Sequence, residues 1–131
     1  MAGIRIKGSD ELFQVENVFC IGKNYVDHIK EFDTPEKAAE IPKVPVVFLK
    51  PTSALLIDSD IVRVPEVNGQ KISNNLQNEV ELVIAIGKDG VNIPEDKANE
   101  HIQGYAVGID FTLRDLQAED KKKGLPWTVS K

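Results

Sequence analysis

The run Glu79-Val80-Glu81-Leu82-Val83-Ile84-Ala85-Ile86-Gly87 constrains this chain more than any other stretch. Aliphatic and β-branched residues dominate it, proline is absent, and Gly87 with Lys88-Asp89-Gly90 closes it in a turn, so it predicts a β-strand. Side chains alternate across a strand, which puts Glu79, Glu81, Val83 and Ala85 on one face and Val80, Leu82, Ile84 and Ile86 on the other. The second face predicts core. On the first, two carboxylates stand roughly 7 Å apart along the strand. Like charges that close, beside a buried face, repel and resist desolvation unless something offsets them. A hard divalent cation such as Mg²⁺ or Ca²⁺ would do so, because it prefers carboxylate oxygens; a solvated strand face would tolerate them too. From this strand alone both readings stay open.

At 131 residues the chain has the length of one domain with its own core, residues 1–131. A net charge of −5 argues against nucleic acid or an anionic membrane as partner, since both require a basic surface. The single Cys20 allows no intrachain disulfide. No apolar run approaches a membrane span, and Met1-Ala2-Gly3-Ile4-Arg5-Ile6-Lys7 alternates instead of forming a signal peptide's apolar block. These features make a cytoplasmic protein the expectation.

Taken in order, Ile4 to Lys7 predicts a short edge strand and Val18 to Ile21, stopped by Gly22, a buried one. Asn24 to Phe32 has helical spacing, with His28 and Glu31 on one face and Asn24 one turn back. At about two turns that helix is marginal without tertiary support, and the charged, proline-bearing stretch from Asp33 to Lys43 predicts a loop after it. Val44 to Pro51 and Ile61 to Pro65 predict further strands, with a loop from Thr52 to Asp60 between them. Glu66 to Asn78 is polar and rich in turn residues. Ile93 to about Ile102 predicts a helix opened by Pro94 and two acids. Gly104 to Asp110 predicts a strand whose faces differ: Tyr105, Val107 and Ile109 on one, small residues leading to Asp110 on the other. Thr112-Leu113-Arg114-Asp115 has a capping-box pattern opening a helix through Lys123, with lysines at its negative end and Gly124 as its left-handed stop. Leu125 to Lys131 predicts an extended exit. The whole is mixed α+β, mainly β, with three short helices and no regular βαβ series.

Three strand carboxylates (Glu79, Glu81 and Asp110), a His28–Glu31 pair, and the cations Arg114 and Lys131 are the parts that metal-assisted chemistry on an acidic carbonyl compound needs. Spacing alone does not make them converge. Yet Ile21-Gly22-Lys23-Asn24-Tyr25-Val26-Asp27-His28, Phe48-Leu49-Lys50-Pro51, Asn78-Glu79-Val80-Glu81-Leu82, Gly104 to Thr112, Arg114-Asp115 and Lys122-Lys123-Gly124-Leu125-Pro126-Trp127 together resemble the fumarylacetoacetate hydrolase family, most closely its acylpyruvase and oxaloacetate decarboxylase branch. The motifs run in order, with matching gaps, from Val18 onward.

The resemblance implies a mixed β-roll with short peripheral helices, a homodimer, and one Mg²⁺ or Mn²⁺ per subunit, with Ca²⁺ as a substitute. It assigns Glu79, Glu81 and Asp110 to the metal. It assigns His28 and Glu31 to a dyad in which Glu orients His and His activates water. The short, marginal helix that carries them, beside a loop, predicts lid behaviour. Arg114 and Gln117, with Asn24, contact the substrate, and Lys131 steadies developing negative charge. The implied reaction is divalent-metal-dependent cleavage of a C–C bond in a keto acid. It is either hydrolysis of a 3-acylpyruvate to pyruvate and a carboxylic acid or decarboxylation of oxaloacetate, with the metal stabilising the enolate as a Lewis acid. Isomerisation or hydrolysis of a 2-hydroxydienoate or fumarylacetoacetate-type intermediate is the alternative within the family. Family members continue past the equivalent of Lys131, so the chain reads as their N-terminal portion, truncated before the C-terminal strands, and a non-catalytic fragment is the reading from a different class. At the terminus Lys131 is expected to fray.

Other conspicuous residues have plainer readings. His101 ends a helix, Lys121 to Lys123 solvate a helix end, Cys20 is an inert buried thiol, and Tyr105 and Trp127 pack. Arg114 and Gln117 share a helix face that solvent alone would explain. A glycosidase pair from Glu79 and Glu81 is excluded, because neighbours on one strand cannot flank a glycosidic bond from opposite sides.

Overall fold

The structure is a computed structural model that describes residues 2–25, 42–57 and 61–131. Backbone contacts divide the chain into two compact units, residues 1–61 and 62–131.

In the first unit β1 (Ala2–Arg5) pairs antiparallel with β2 (Leu12–Val15), and β3 (Val18–Gly22) with β4 (Val46–Lys50). The first strand lies two residues earlier than the alternation of Ile4 to Lys7 suggests. The second has no clear strand signature in the sequence, because Glu11 and Gln14 dilute its apolar signal. Pairing in β3–β4 sets Phe19 opposite Leu49 and Ile21 opposite Val47. All four are exposed, while Val18, Cys20 and Phe48 on the other face are half-buried, so β3 is covered on one side only and is not the buried strand its composition predicts. Pro51 caps a short 3-10 turn, Thr52–Ala54.

The second unit begins without the strand predicted from Ile61 to Pro65; the backbone there is irregular. Next comes a two-residue hairpin, β5 (Glu66–Val67) with β6 (Gln70–Lys71). Its turn residues Asn68 and Gly69 both take positive φ, 52° and 77°, the conformation that tight hairpins require and that Asn-Gly tolerates best. The dominant element follows: β7 (Leu76–Ile86) pairs antiparallel with β8 (Ile102–Leu113) along its whole length, with one irregularity at Ala85/Ile86. The predicted helix between them, from Glu95 to His101, is wound as a 3-10 helix, with Pro94 at its N-cap. The final helix, α1 (Arg114–Lys123), ends as its sequence dictates. Gly124 takes φ 67°, and the amide of Leu125 bonds back to the carbonyl of Asp120 at 2.9 Å.

Three further expectations fail in this unit. Thr112 does not open the helix; it remains in β8, Leu113 is the N-cap, and no side chain caps α1 there. Residues 127–130 form turns instead of an extended exit, closed by a bond from the Lys131 amide to the Trp127 carbonyl at 2.9 Å. Most consequentially, the apolar face of β7 is not core. Val80, Leu82, Ile84 and Ile86 are exposed, as are Tyr105, Val107 and Ile109 beside them on β8, with Val107 at 78%. The reason is topological: β7 and β8 form a sheet of two strands among the described residues, and a pair of strands has nothing of its own to lay over an apolar face. Burial is concentrated elsewhere, at the junction of β8 with α1, where Asp110, Thr112, Leu113, Gln117 and Ser130 are all buried.

Candidate active site

The register of β7 on β8 builds the site. Gln77 lies opposite Thr112, Glu79 opposite Asp110, and Glu81 opposite Gly108, so these six positions share one face. Two carboxylates meet across the ladder, and Glu81 stands further along on the side where Gly108 adds no side chain. The close approach that the small residues of β8 permit is made by Val83, whose Cγ2 would lie 2.7 Å from a Cβ at position 108.

Cations from two other segments close on the paired acids. The Lys131 ammonium donates to Oε2 of Glu79 at 2.5 Å and to Oδ2 of Asp110 at 2.7 Å. Its side chain is 4% exposed, against the expectation of fraying. Three bonds hold it there. The Leu113 amide donates to the Ser130 carbonyl at 2.8 Å, the Ser130 hydroxyl donates to Oδ2 of Asp120 at 2.7 Å, and the Lys131 amide reaches Trp127. From the first turn of α1, Arg114 donates through Nη2 to Oε1 of Glu79, through Nε to Oε1 of Gln77 at 2.8 Å, and through Nη1 to Oε1 of Gln117 at 2.6 Å. Arg114 and Gln117 thus face the site and not the solvent.

The start of α1 is itself fixed by the segment before β7. The Arg114 amide donates to the Asn75 carbonyl at 2.9 Å, and the Ser73 hydroxyl donates to Oδ1 of Asp115 at 2.5 Å. That bond, with backbone amides of Leu116 and Asn74 adding to it, holds the Asp115 carboxyl below its ordinary value. Glu79 is subject to opposed effects. Burial raises its pKa, but the hydrogen bonds and charges of Lys131 and Arg114 outweigh burial, and the net displacement is downward. Glu79 is therefore held ionised. Two acids and two cations balance at the centre, and Glu81, half-buried on the same face, adds a further negative charge.

Such a face can bind a cation through carboxylate oxygens and an anion through Arg114 and Lys131. The donors are all oxygen, the set that suits a hard divalent ion. Among the described residues no three of His, Cys, Asp and Glu are gathered as a ready metal centre; the Lys131 ammonium supplies the positive charge between Glu79 and Asp110. Of the other expected site residues, His28 and Glu31 lie outside the described residues, and Asn24 is exposed in the first unit, just past Lys23, which has φ 57°. Gln77, Ser73, Asn75, Thr112 and Ser130 were not anticipated. For Gln77 the signal was present: it is two residues before Glu79 and hence on the same strand face. The Thr112 hydroxyl opposite it is fully buried without a hydrogen-bond partner among the described residues.

Residues 17–131 match the family described as fumarylacetoacetate (FAA) hydrolase C-terminal. The chain belongs to the fumarylacetoacetate hydrolase family. Among family relatives, the mouse mitochondrial oxaloacetate tautomerase FAHD1 is 42% identical over 116 residues, which is 88% of this chain and 48% of that protein. The Arabidopsis thaliana protein of the same name is 42% identical over 118 residues, 90% of this chain and 48% of its own length. Of solved family structures, fumarylpyruvate hydrolase from Pseudomonas aeruginosa, crystallised with Mn²⁺ and pyruvate, superposes with a TM-score of 0.81 at 38% identity. That match covers 99% of this chain and 54% of the Pseudomonas protein. The chain thus spans about half the length of the family relatives it matches, and it shares their fold over that half.

Proposed function

We propose that this chain carries the keto-acid site of a divalent-metal-dependent enzyme that cleaves a C–C bond in a 3-acylpyruvate or oxaloacetate. The observation that supports this most directly is the meeting of Glu79 and Asp110 across β7–β8 with Lys131 and Arg114 closing on them. In this reading Glu79, Glu81 and Asp110 hold Mg²⁺ or Mn²⁺, and Ca²⁺ substitutes. When bound, the ion supplies Lewis acidity to the keto oxygen of the substrate. Arg114 binds the substrate carboxylate, with Gln117 orienting the guanidinium plane. Lys131 holds an N–H toward the oxygen on which negative charge develops, and its burial strengthens that interaction. His28, oriented by Glu31, takes the proton of the attacking water in hydrolysis, and Asn24 contacts the substrate; decarboxylation needs no such water. The homodimer, residues 1–131 as a portion of one catalytic domain, and a cytoplasmic location belong to the same reading.

A second reading, tautomerisation of oxaloacetate, is favoured by the names of the mouse and Arabidopsis relatives. It moves one proton between C3 and the keto oxygen and breaks no C–C bond, so Lys131 and a base suffice. The test is to mix the chain with Mn²⁺ and acetylpyruvate or oxaloacetate, following pyruvate release and, separately, loss of enol absorbance. Pyruvate release supports cleavage, enol loss without pyruvate supports the second reading, and neither, together with no Mn²⁺-dependent pyruvate binding, overturns both. Sedimentation of the same samples tests the dimer.

A further inference from the structure

We propose that Gln77 is a positioning residue that sets the guanidinium of Arg114 for a substrate carboxylate while leaving its charge available; this rests on Arg114 being the carboxylate contact in the reading above. A guanidinium is a rigid planar fork, and all three of its nitrogens are held here: Nε by Gln77, Nη1 by Gln117 and Nη2 by Glu79. Of these partners Gln77 alone takes the Nε–H, the donor closest to the flexible stem, so it fixes the rotation of the fork about that stem. Its own amide is fixed in turn, because Nε2 donates to Oδ1 of Asn75 at 3.3 Å. Asn75 also accepts the Arg114 amide through its carbonyl, and its own amide donates to Ser73, whose hydroxyl bonds Asp115. One short strap, Ser73 to Gln77, therefore holds the first turn of α1 by both its backbone and its arginine.

The chemistry of the partner matters as much as its position. Arg114 already shares the Glu79 carboxylate with Lys131. A second acid at position 77 would neutralise the guanidinium and weaken its pull on a substrate anion, whereas a neutral amide orients it and leaves the charge. The register explains why position 77 can do this: it is one strand repeat before Glu79 on the same face, level with Thr112 and beside the Arg114 side chain.

The experiment measures pyruvate affinity by calorimetry at saturating Mn²⁺ for the unsubstituted chain, Gln77→Met, Gln77→Glu, Arg114→Met and the Gln77→Met/Arg114→Met pair. Gln77→Met should weaken pyruvate about tenfold, the size of one hydrogen bond to a charged group, and leave Mn²⁺ affinity within about twofold. In the Arg114→Met background the same change should have no further effect. Gln77→Glu keeps the acceptor but should weaken pyruvate as well. Wild-type affinity in Gln77→Met or Gln77→Glu, with affinity lost in Arg114→Met, overturns the inference and leaves the Arg114 reading intact. Losses that multiply in the double variant also overturn it. Wild-type affinity in Arg114→Met, or no pyruvate binding by the unsubstituted chain, removes both. Should a variant not fold, the unsubstituted protein decides: the Arg114 Nε–H must be protected from solvent exchange in ¹⁵N spectra, and exchange at the free rate overturns the proposal.

Discussion

The ammonium of Lys131 lies 2.5 Å from a carboxylate oxygen of Glu79, although 52 residues separate the two in the chain. The same ammonium reaches Asp110, which faces Glu79 across the ladder. Removing the lysine leaves two facing, largely buried acids with less to offset them. Lys131→Met should therefore destabilise the protein by about 3 kcal/mol, read by urea unfolding, and Mn²⁺ should restore more stability to the variant than it adds to the parent. A variant as stable as the parent would show that the contact contributes nothing.

Glu81 stands on the same face one strand repeat beyond Glu79, opposite a glycine. If it completes an oxygen donor set, Glu81→Gln should lower Mn²⁺ affinity by more than about tenfold, as loss of a metal partner does, without a large change in fold. Calorimetric titration checks this, and unchanged binding would sink the carboxylate site.

The depressed pKa of Glu79 sets the sign of a pH effect. Its ordinary value is 4.5 and its folded value lies lower. Its contribution to stability is therefore complete above pH 4.5 and is lost as pH falls through the lowered folded value. Glu79→Gln should flatten the acid limb of the stability profile below that pH and leave its slope at neutral pH unchanged. Acid titration followed by circular dichroism distinguishes the two profiles; equal slopes on the acid limb would count against the ion pairs.

A Cβ at Gly108 would stand 2.7 Å from Cγ2 of Val83. Gly108→Ala should cost about 1–3 kcal/mol by overpacking the site face, and Val83→Ala in the same chain should recover most of it. Thermal unfolding of the two singles and the double gives the coupling. Additive losses would place the effect of Gly108 elsewhere.

Val80 and Val107 are 66% and 78% exposed on the opposite face of the same strands. Val80→Thr and Val107→Thr should each change stability by no more than about 0.5 kcal/mol. A loss above about 2 kcal/mol in either would mean that this face packs against something in solution.

Much of the site is legible in the sequence. The β7 run, the placement of Glu79 and Glu81 on one face, Asp110 on a strand of its own, and the Gly124 stop of α1 all follow from periods of two and from backbone preferences that act within a few residues. Thr112 shows where local pattern misled. Its capping-box spacing is real, but the ladder with Gln77 holds it in β8, and the carboxylate of Asp115 is taken by Ser73. A long-range bond outcompeted a local one. Gln77 shows what pattern could indicate without explaining: its face was predictable, its arginine was not.

Local sequence determined the central residues of β3, β4, β7 and β8, the alternation of side chains along them and how the last helix ends, because those outcomes depend on near neighbours along the chain. Tertiary structure alone decided that Glu79 meets Asp110, that Lys131 is buried between them instead of fraying, and that the apolar side of β7 is left exposed. Strand register, the docking of the final turns and the covering of a face are set by contacts between segments distant in sequence, and alternation within one strand contains no information about its partner.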